Sequence, residues 1–163
     1  MTITLHRVFW AVPALALIVR WQGLAVPRSI GVWGAYFVMG ALNNAIPFSL
    51  IIWAQVHIDS GLAAILNATT AVFGAVIAGV LLSDERLSAQ KLAGAVLGLA
   101  GVAFIMGRSA LTGFDPRNLA QLAMLGAAVS YSFASVWGKS VLSGQPPLMN
   151  AFGMVTASSF LMV

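Results

Sequence analysis

The chain has 163 residues, 60% of them hydrophobic and 7% charged, with a formal net charge of +4 and a mean hydropathy of +0.95. A soluble domain carries about a quarter charged residues and gives each surface helix a polar stripe. Here Ala71–Leu82 reads AVFGAVIAGVLL, with nothing polar on any side, which excludes a soluble helical core. The eight Lys and Arg are scattered near the ends of apolar runs, which excludes the clustered footprint of a nucleic-acid binder.

Ser29–Ile58, Ser60–Ser83, Leu92–Gly107, Asn118–Gly138 and Ser140–Val163 contain no Asp, Glu, Lys or Arg. Each approaches the length an α-helix needs to cross a hydrocarbon core of about 30 Å. The pattern predicts an all-α, polytopic transmembrane bundle of about six helices in a lipid bilayer. The first covers Thr4–Trp21. Its apolar run after Arg7 is long enough for a signal peptide, but Arg20-Trp21-Gln22 stands where a small-residue cleavage site belongs. The second covers Gly31–Val56 and the third Gly61–Leu82, with Asp59-Ser60-Gly61 offering capping oxygens between them. The fourth, Ala89–Gly107, is capped by Ser88. The fifth, Leu119–Lys139, follows the polar turn at Gly113, Asp115 and Pro116. The sixth, Pro147–Val163, follows Gly144, Pro146 and Pro147.

Basic residues in short loops set orientation. Arg20, Arg28, Arg86, Lys91 and Lys139 fall on one side, against Arg7, Arg108 and Arg117 on the other. The first group is expected to be cytoplasmic. That places the N-terminus outside and predicts a further helix before Met1.

A polar side chain inside a span is expensive and is read first as a functional position. Asn43 and Asn44 lie mid-span. Counted along an α-helix, Tyr36, Asn43 and Pro47 share a face. Pro47 frees a carbonyl one turn back. The Asn pair either lines a polar cavity or bonds a neighbouring helix. Ala63, Asn67, Thr70 and Gly74 share a face of the third span. Asn67 has the same two readings, whereas Thr70 is expected to bond its own helix. Tyr131 and Ser135 share a face of the fifth span. Trp137, near Lys139, is expected to be an interfacial anchor. Gly94, Gly98 and Gly101 form a smooth groove for helix packing. His57 and Asp59 belong to the outer interface, as capping or solvated groups. No carboxylate lies inside a span, so this segment offers no buried acid for proton coupling.

Catalysis is not expected, because no nucleophile, base and orienting group stand together. The chain has no Cys, and its His, Asp and Glu show no metal-ligand spacing. No metal or cofactor is therefore expected. No glycine-rich phosphate loop follows a strand, which favours a gradient-driven carrier over a nucleotide-powered pump.

Thr4–Val19 lies over Leu148–Val163 without a gap, a match of pattern more than identity, and internal repeats are a common way to build transporters. Gly61–Gly107 contains a small-residue helix, then Glu85-Arg86-Leu87-Ser88, then a helix with Gly94, Gly98 and Gly101. Pro47 and Trp53-Ala54 precede them. In this order the sequence resembles the EamA-type permeases of the drug/metabolite transporter superfamily. The resemblance implies part of a ten-helix fold built from two five-helix repeats. Residues 1–107 would then hold helices two to five of a first repeat, 108–118 a linker, and 119–163 the first two helices of a second repeat. It further implies an integral-membrane secondary transporter of small metabolites, exporting amino acids or related compounds, in a bacterial cytoplasmic membrane. The contrasting reading is a truncated, inactive remnant or a structural membrane protein. The substrate-cavity candidates are Tyr36, Asn43, Asn44, Pro47, Asn67, Tyr131 and Ser135.

Overall fold

A computed structural model describes residues 2–85 and 87–162, and within them every regular element is helical. The apolar runs become α1 (Thr2–Trp21), α2 (Ile30–Gly40), a π-helical turn (Ala41–Ala45), α3 (Ile46–Gln55), α4 (Ser60–Ala68) and α5 (Thr70–Leu81). They are followed by α6 (Ala89–Met106), the short α7 (Arg108–Leu111), α8 (Leu119–Val141) and α9 (Pro147–Leu161). The bounds of all six expected spans agree to within two residues. Ile30–Gln55, Ser60–Leu81, Ala89–Met106 and Leu119–Val141 are long and apolar enough to cross a membrane. The helices at the two ends of the chain fall outside that set, α9 being only 15 residues long.

Local chemistry explains the ends. α1 closes at Gly23, whose φ of +66° only glycine adopts without strain. Gly107, at φ +80° and ψ 166°, ends α6 in a conformation essentially confined to glycine. Ser88 caps α6 as expected, its Oγ accepting from the Lys91 N–H at 3.2 Å. Asp59 occupies the N-cap of α4 but makes no side-chain capping bond. Pro147 sits in the first turn of α9, where its missing N–H costs nothing. Arg86, one of the residues expected to set orientation, lies outside the described residues.

Two of the long spans are not uniform α-helices. Pro47 has no N–H to offer one turn back, and just before it the chain widens into the π turn. A π turn takes more residues than an α turn. The face counted through Tyr36, Asn43 and Pro47 at α-helical spacing therefore does not carry through it. The third span breaks at Thr69, between α4 and α5. There the Thr69 and Thr70 hydroxyls donate back to the Leu66 and Asn67 carbonyls at 2.5 and 2.6 Å. The expectation for Thr70 holds.

The chain forms two compact units, Met1–Ala45 with Trp137–Val163, and Ile46–Val136. In the first, α9 packs on α1, α2 and the π turn. Its core holds Val19, Ala35, Tyr36, Leu142, Met149 and Ala157. α2 and α9 run parallel, since Tyr36 meets Gly153 and, four residues on, Gly40 meets Ser158. In the second unit, α4 packs on α3 and α6, and α5 packs on α6. Its core holds Ala54, Leu62, Ala63, Leu66, Ala120 and Met124. No residue of α6 is buried.

Candidate functional site

In the first unit the Asn pair faces α9. The Asn44 side chain is buried and donates to Ser158 Oγ at 2.7 Å. Ser158 in turn donates to the Met154 carbonyl at 2.7 Å. Asn43 Nδ2 donates to Met154 Sδ at 3.3 Å, a weak acceptor. Helix-to-helix bonding, one of the two readings open for these residues, is thus what their amide donors do here. Gly40 makes the approach possible, because a Cβ there would stand 2.8 Å from Ser158 Oγ and 3.1 Å from the Met154 carbonyl.

Tyr36 is fully buried in the same unit. Its ring occupies the space a Cβ on Gly153 would need, and it meets Trp33 edge-to-face with centroids 5.7 Å apart. Among the described residues its hydroxyl has no hydrogen-bond partner. Trp137 also belongs to this unit. Its Nε1 donates to the Ala35 carbonyl at 3.1 Å and ties the end of α8 to α2.

The remaining candidates lie in the second unit. Pro47 is buried. Asn67 is exposed at the α4–α5 break, and its side chain makes no hydrogen bond among the described residues. Ser135 is exposed and donates to the Tyr131 carbonyl at 3.1 Å, so these two do share a face of α8. One turn earlier, buried Ser132 donates to the Ala128 carbonyl at 2.9 Å and approaches the Thr70 carbonyl at 3.3 Å.

The groove glycines stand apart from all of this. Among the described residues a Cβ on Gly94, Gly98 or Gly101 would meet nothing within 4 Å. Among the described residues no helix fills that face.

Three clefts are distinct from the candidates. In the second unit, one of about 340 Å³ is lined by His57, Asp59, Asn118 and neighbours. His57 Nδ1 lies 2.8 Å from the Trp53 carbonyl, which only accepts, so that nitrogen carries the proton. A second of about 520 Å³ lies beside Phe104 and Arg108. In the first unit, an apolar cleft of about 390 Å³ lies between Phe9, Val12 and Pro13 of α1 and Thr156, Ser159 and Phe160 of α9. No group of three His, Cys, Asp or Glu that could hold a metal occurs among the described residues.

Sequence reasoning missed the α9 side of the polar contacts: Asn150, Gly153, Met154 and Ser158. Gly153, Ala157 and Ser158 carry a readable signal, small residues at helical spacing opposite a buried aromatic.

Four spans long and apolar enough to cross a bilayer are the architecture of an integral membrane protein. A sequence model of the EamA-like transporter family matches residues 1–107. The chain is also 28% identical over 130 residues to a Bacillus subtilis (strain 168) protein described as the uncharacterized transporter YoaV. That match takes in 79% of this chain and 44% of the relative, so the chain spans less than half the relative's length. No solved structure matches. The chain belongs to the EamA-like transporter family.

Proposed function

We propose that this chain forms part of a gradient-driven carrier of small metabolites that works by alternating access in a bacterial cytoplasmic membrane. The match to the EamA-like transporter family over residues 1–107 carries this reading. Residues 1–107 would supply helices two to five of a first repeat and 119–163 the start of a second. The basic loops at Arg28, Lys91 and Lys139 would face the cytoplasm.

Transporter sites lie near the bilayer midplane, often where helices are discontinuous. Both long discontinuities of this chain are flanked by candidates. The π turn holds Asn43 and Asn44, with Tyr36 before it and Pro47 after it. The α4–α5 break holds Asn67. Asn67 is the strongest cavity-lining candidate, because its amide remains uncommitted. Tyr131 and Ser135 are next, on one face of α8. Asn43 keeps only a weak thioether acceptor, which a solute carbonyl or carboxylate would readily replace. Asn44 is committed to Ser158 and belongs to the scaffold of the first unit.

The test is uptake of radiolabelled small metabolites into proteoliposomes holding the chain in its full-length context, with an imposed ion gradient and no nucleotide. Saturable, gradient-dependent uptake that Asn67→Ala weakens by roughly up to tenfold is expected, the worth of one neutral hydrogen bond. Uptake strictly dependent on ATP would overturn the carrier class. Unchanged uptake by Asn67→Ala would remove that residue from the site.

A further inference from the structure

α6 ends at Gly107, whose φ of +80° and ψ of 166° take the chain off the helical path before α7 begins at Arg108. Continued as one straight helix, Leu111 would lie about 16 Å along the axis from Ala100. Leu111 and Ala100 instead border the same cleft, together with Ala103, Phe104, Gly107 and Arg108. All six belong to the second unit. Ala100, Ala103, Phe104 and Gly107 fall at i, i+3, i+4 and i+7, on one face of α6. Counted round the helix, it is not the face of Gly94, Gly98 and Gly101.

The cleft holds about 520 Å³, within the range of small-ligand sites, about 300–1,000 Å³. Its wall is almost wholly apolar, and among the described residues that line it Arg108 alone is charged. The Arg108 side chain is exposed and makes no ion pair or hydrogen bond among the described residues. A guanidinium has donors and no acceptor, set in a fork that fits a phosphate bidentately. Ala89–Met106 is long and apolar enough to cross a membrane, and Arg108 stands two residues past its end. With that span in the bilayer, Ala100, Ala103 and Phe104 lie at hydrocarbon depth and Arg108 at the level of the headgroups. An occupant of this cleft is therefore apolar at one end and anionic at the other, with its charge at the bilayer surface. A helix laid there would match the wall but would have to bring a carboxylate to Arg108. A phospholipid already carries its phosphate at that level. Net charge selects the headgroup. The ammonium of a zwitterionic lipid compensates its own phosphate, whereas an anionic lipid keeps one negative charge for Arg108.

We propose that the cleft at the α6–α7 bend seats an anionic phospholipid, with one acyl chain against Ala100, Ala103 and Phe104 and the phosphate on Arg108. The inference stands apart from the transport reading, since the cleft and its cation are complementary to such a lipid whether or not the protein moves a solute.

Thermal unfolding of the 163-residue chain in a neutral detergent tests it, with added phosphatidylglycerol or phosphatidylcholine of the same acyl chains. At about ten times its Kd, phosphatidylglycerol should raise Tm by about 3–6 °C. Phosphatidylcholine should give less than half of that rise. Arg108→Gln should lower the phosphatidylglycerol response to the phosphatidylcholine level. Arg117→Gln, which removes the same charge from the loop after α7, should keep the full response. Ala100→Phe should fill the apolar end of the cleft and weaken the response to both lipids. Arg108 and Ala100 are exposed, so both variants should fold and unfold much as the parent does without lipid. Equal responses of the parent to the two lipids, or an Arg108→Gln response as large as the parent's, would overturn the proposal. Glycerol phosphate, the headgroup without chains, should leave Tm unchanged. A shift as large as the lipid's would make this a site for a free anion and overturn the lipid. So would a phosphatidylglycerol response present in the 163-residue chain and absent in the full-length context, because a helix outside these residues would then hold the cleft.

Discussion

α9 and α6 are both apolar helices with regularly placed small residues, and they use them in opposite ways. On α9, Gly153 receives the Tyr36 ring and Ser158 sits against Gly40. On α6, a Cβ at Gly94, Gly98 or Gly101 would meet nothing within 4 Å among the described residues, and no residue of the helix is buried. Small residues permit close approach but do not compel it. What commits α9 is the opposing surface: a buried aromatic at Tyr36, an amide at Asn44 and a facing glycine at Gly40. α6 packs on α4 and α5 through its other faces.

The largest effect separating the two helices is expected at Gly153. Any side chain there collides with the Tyr36 ring, which is fully buried and has nowhere to move. Gly153→Ala should cost about 1–3 kcal/mol, the usual range for overpacking. Gly153→Leu should leave little folded protein by size-exclusion chromatography. A Gly153→Ala variant as stable as the parent in thermal unfolding would show that α2 and α9 are not held at this distance.

The polar bonds of α9 come next. Ser158→Ala removes the acceptor of Asn44 Nδ2 and leaves a buried donor unpaired, at a cost of about 1–3 kcal/mol. Asn44→Ala removes the donor instead. It should cost less, about 0.5–1.5 kcal/mol, because Ser158 keeps its bond to the Met154 carbonyl. The order of the two Tm shifts is the measurement. If Asn44→Ala proved the more damaging, Asn44 would hold more than this one bond.

How much of this could be read from sequence differs by length scale. The spans were legible because hydropathy acts locally over some twenty residues, and Ser88 was legible as a cap because its partner, the Lys91 N–H, lies three residues away. The likeness to EamA-type permeases was legible too, in the order of Glu85-Arg86-Leu87-Ser88 and the glycines that follow. The partners of Asn44 and Trp137 were not. They lie 114 and 102 residues away, and only the packing of α9 and α8 against α2 identifies them. The π turn was half legible. Pro47 announced a disturbance, but a kink and a widened turn satisfy the freed carbonyl equally well, and sequence does not choose between them. The break at Thr69 gave no warning beyond the pair of threonines, whose hydroxyls compete for backbone carbonyls.

A smaller effect is expected at the start of α6, where Ser88→Ala removes the capping oxygen of the Lys91 N–H. Loss of a cap costs about 1 kcal/mol. The exposed Lys91–Glu85 pair at 3.4 Å is part of the same turn and contributes little by itself. Ser88→Ala should therefore lower Tm by a few degrees, while Glu85→Gln should scarcely change it. Equal shifts in the two variants would mean that the ion pair, not the cap, orders this end of the helix.

The smallest effect is expected at Gly98, and it decides what the α6 face is for. Among the described residues nothing lies within 4 Å of a Cβ built there, so Gly98→Leu should meet no collision with them. Leu is also the better helix former, by up to about 1 kcal/mol over Gly. The 163-residue chain carrying Gly98→Leu should therefore unfold at the same temperature as the parent or slightly higher. The same substitution in the full-length context is the informative companion. A fall there, with no fall in the 163-residue chain, would mean that Gly94, Gly98 and Gly101 seat a helix outside these residues, with the backbone closeness that Gly153 and Gly40 provide on the other side of the comparison. No fall in either would leave the α6 glycines without a packing role. A fall in both would show that α6 already has a neighbour within the 163-residue protein, a second copy included, and cross-linking a single Cys at Ala95 on the Cys-free background would then tell a second copy from a rearranged helix of the same chain.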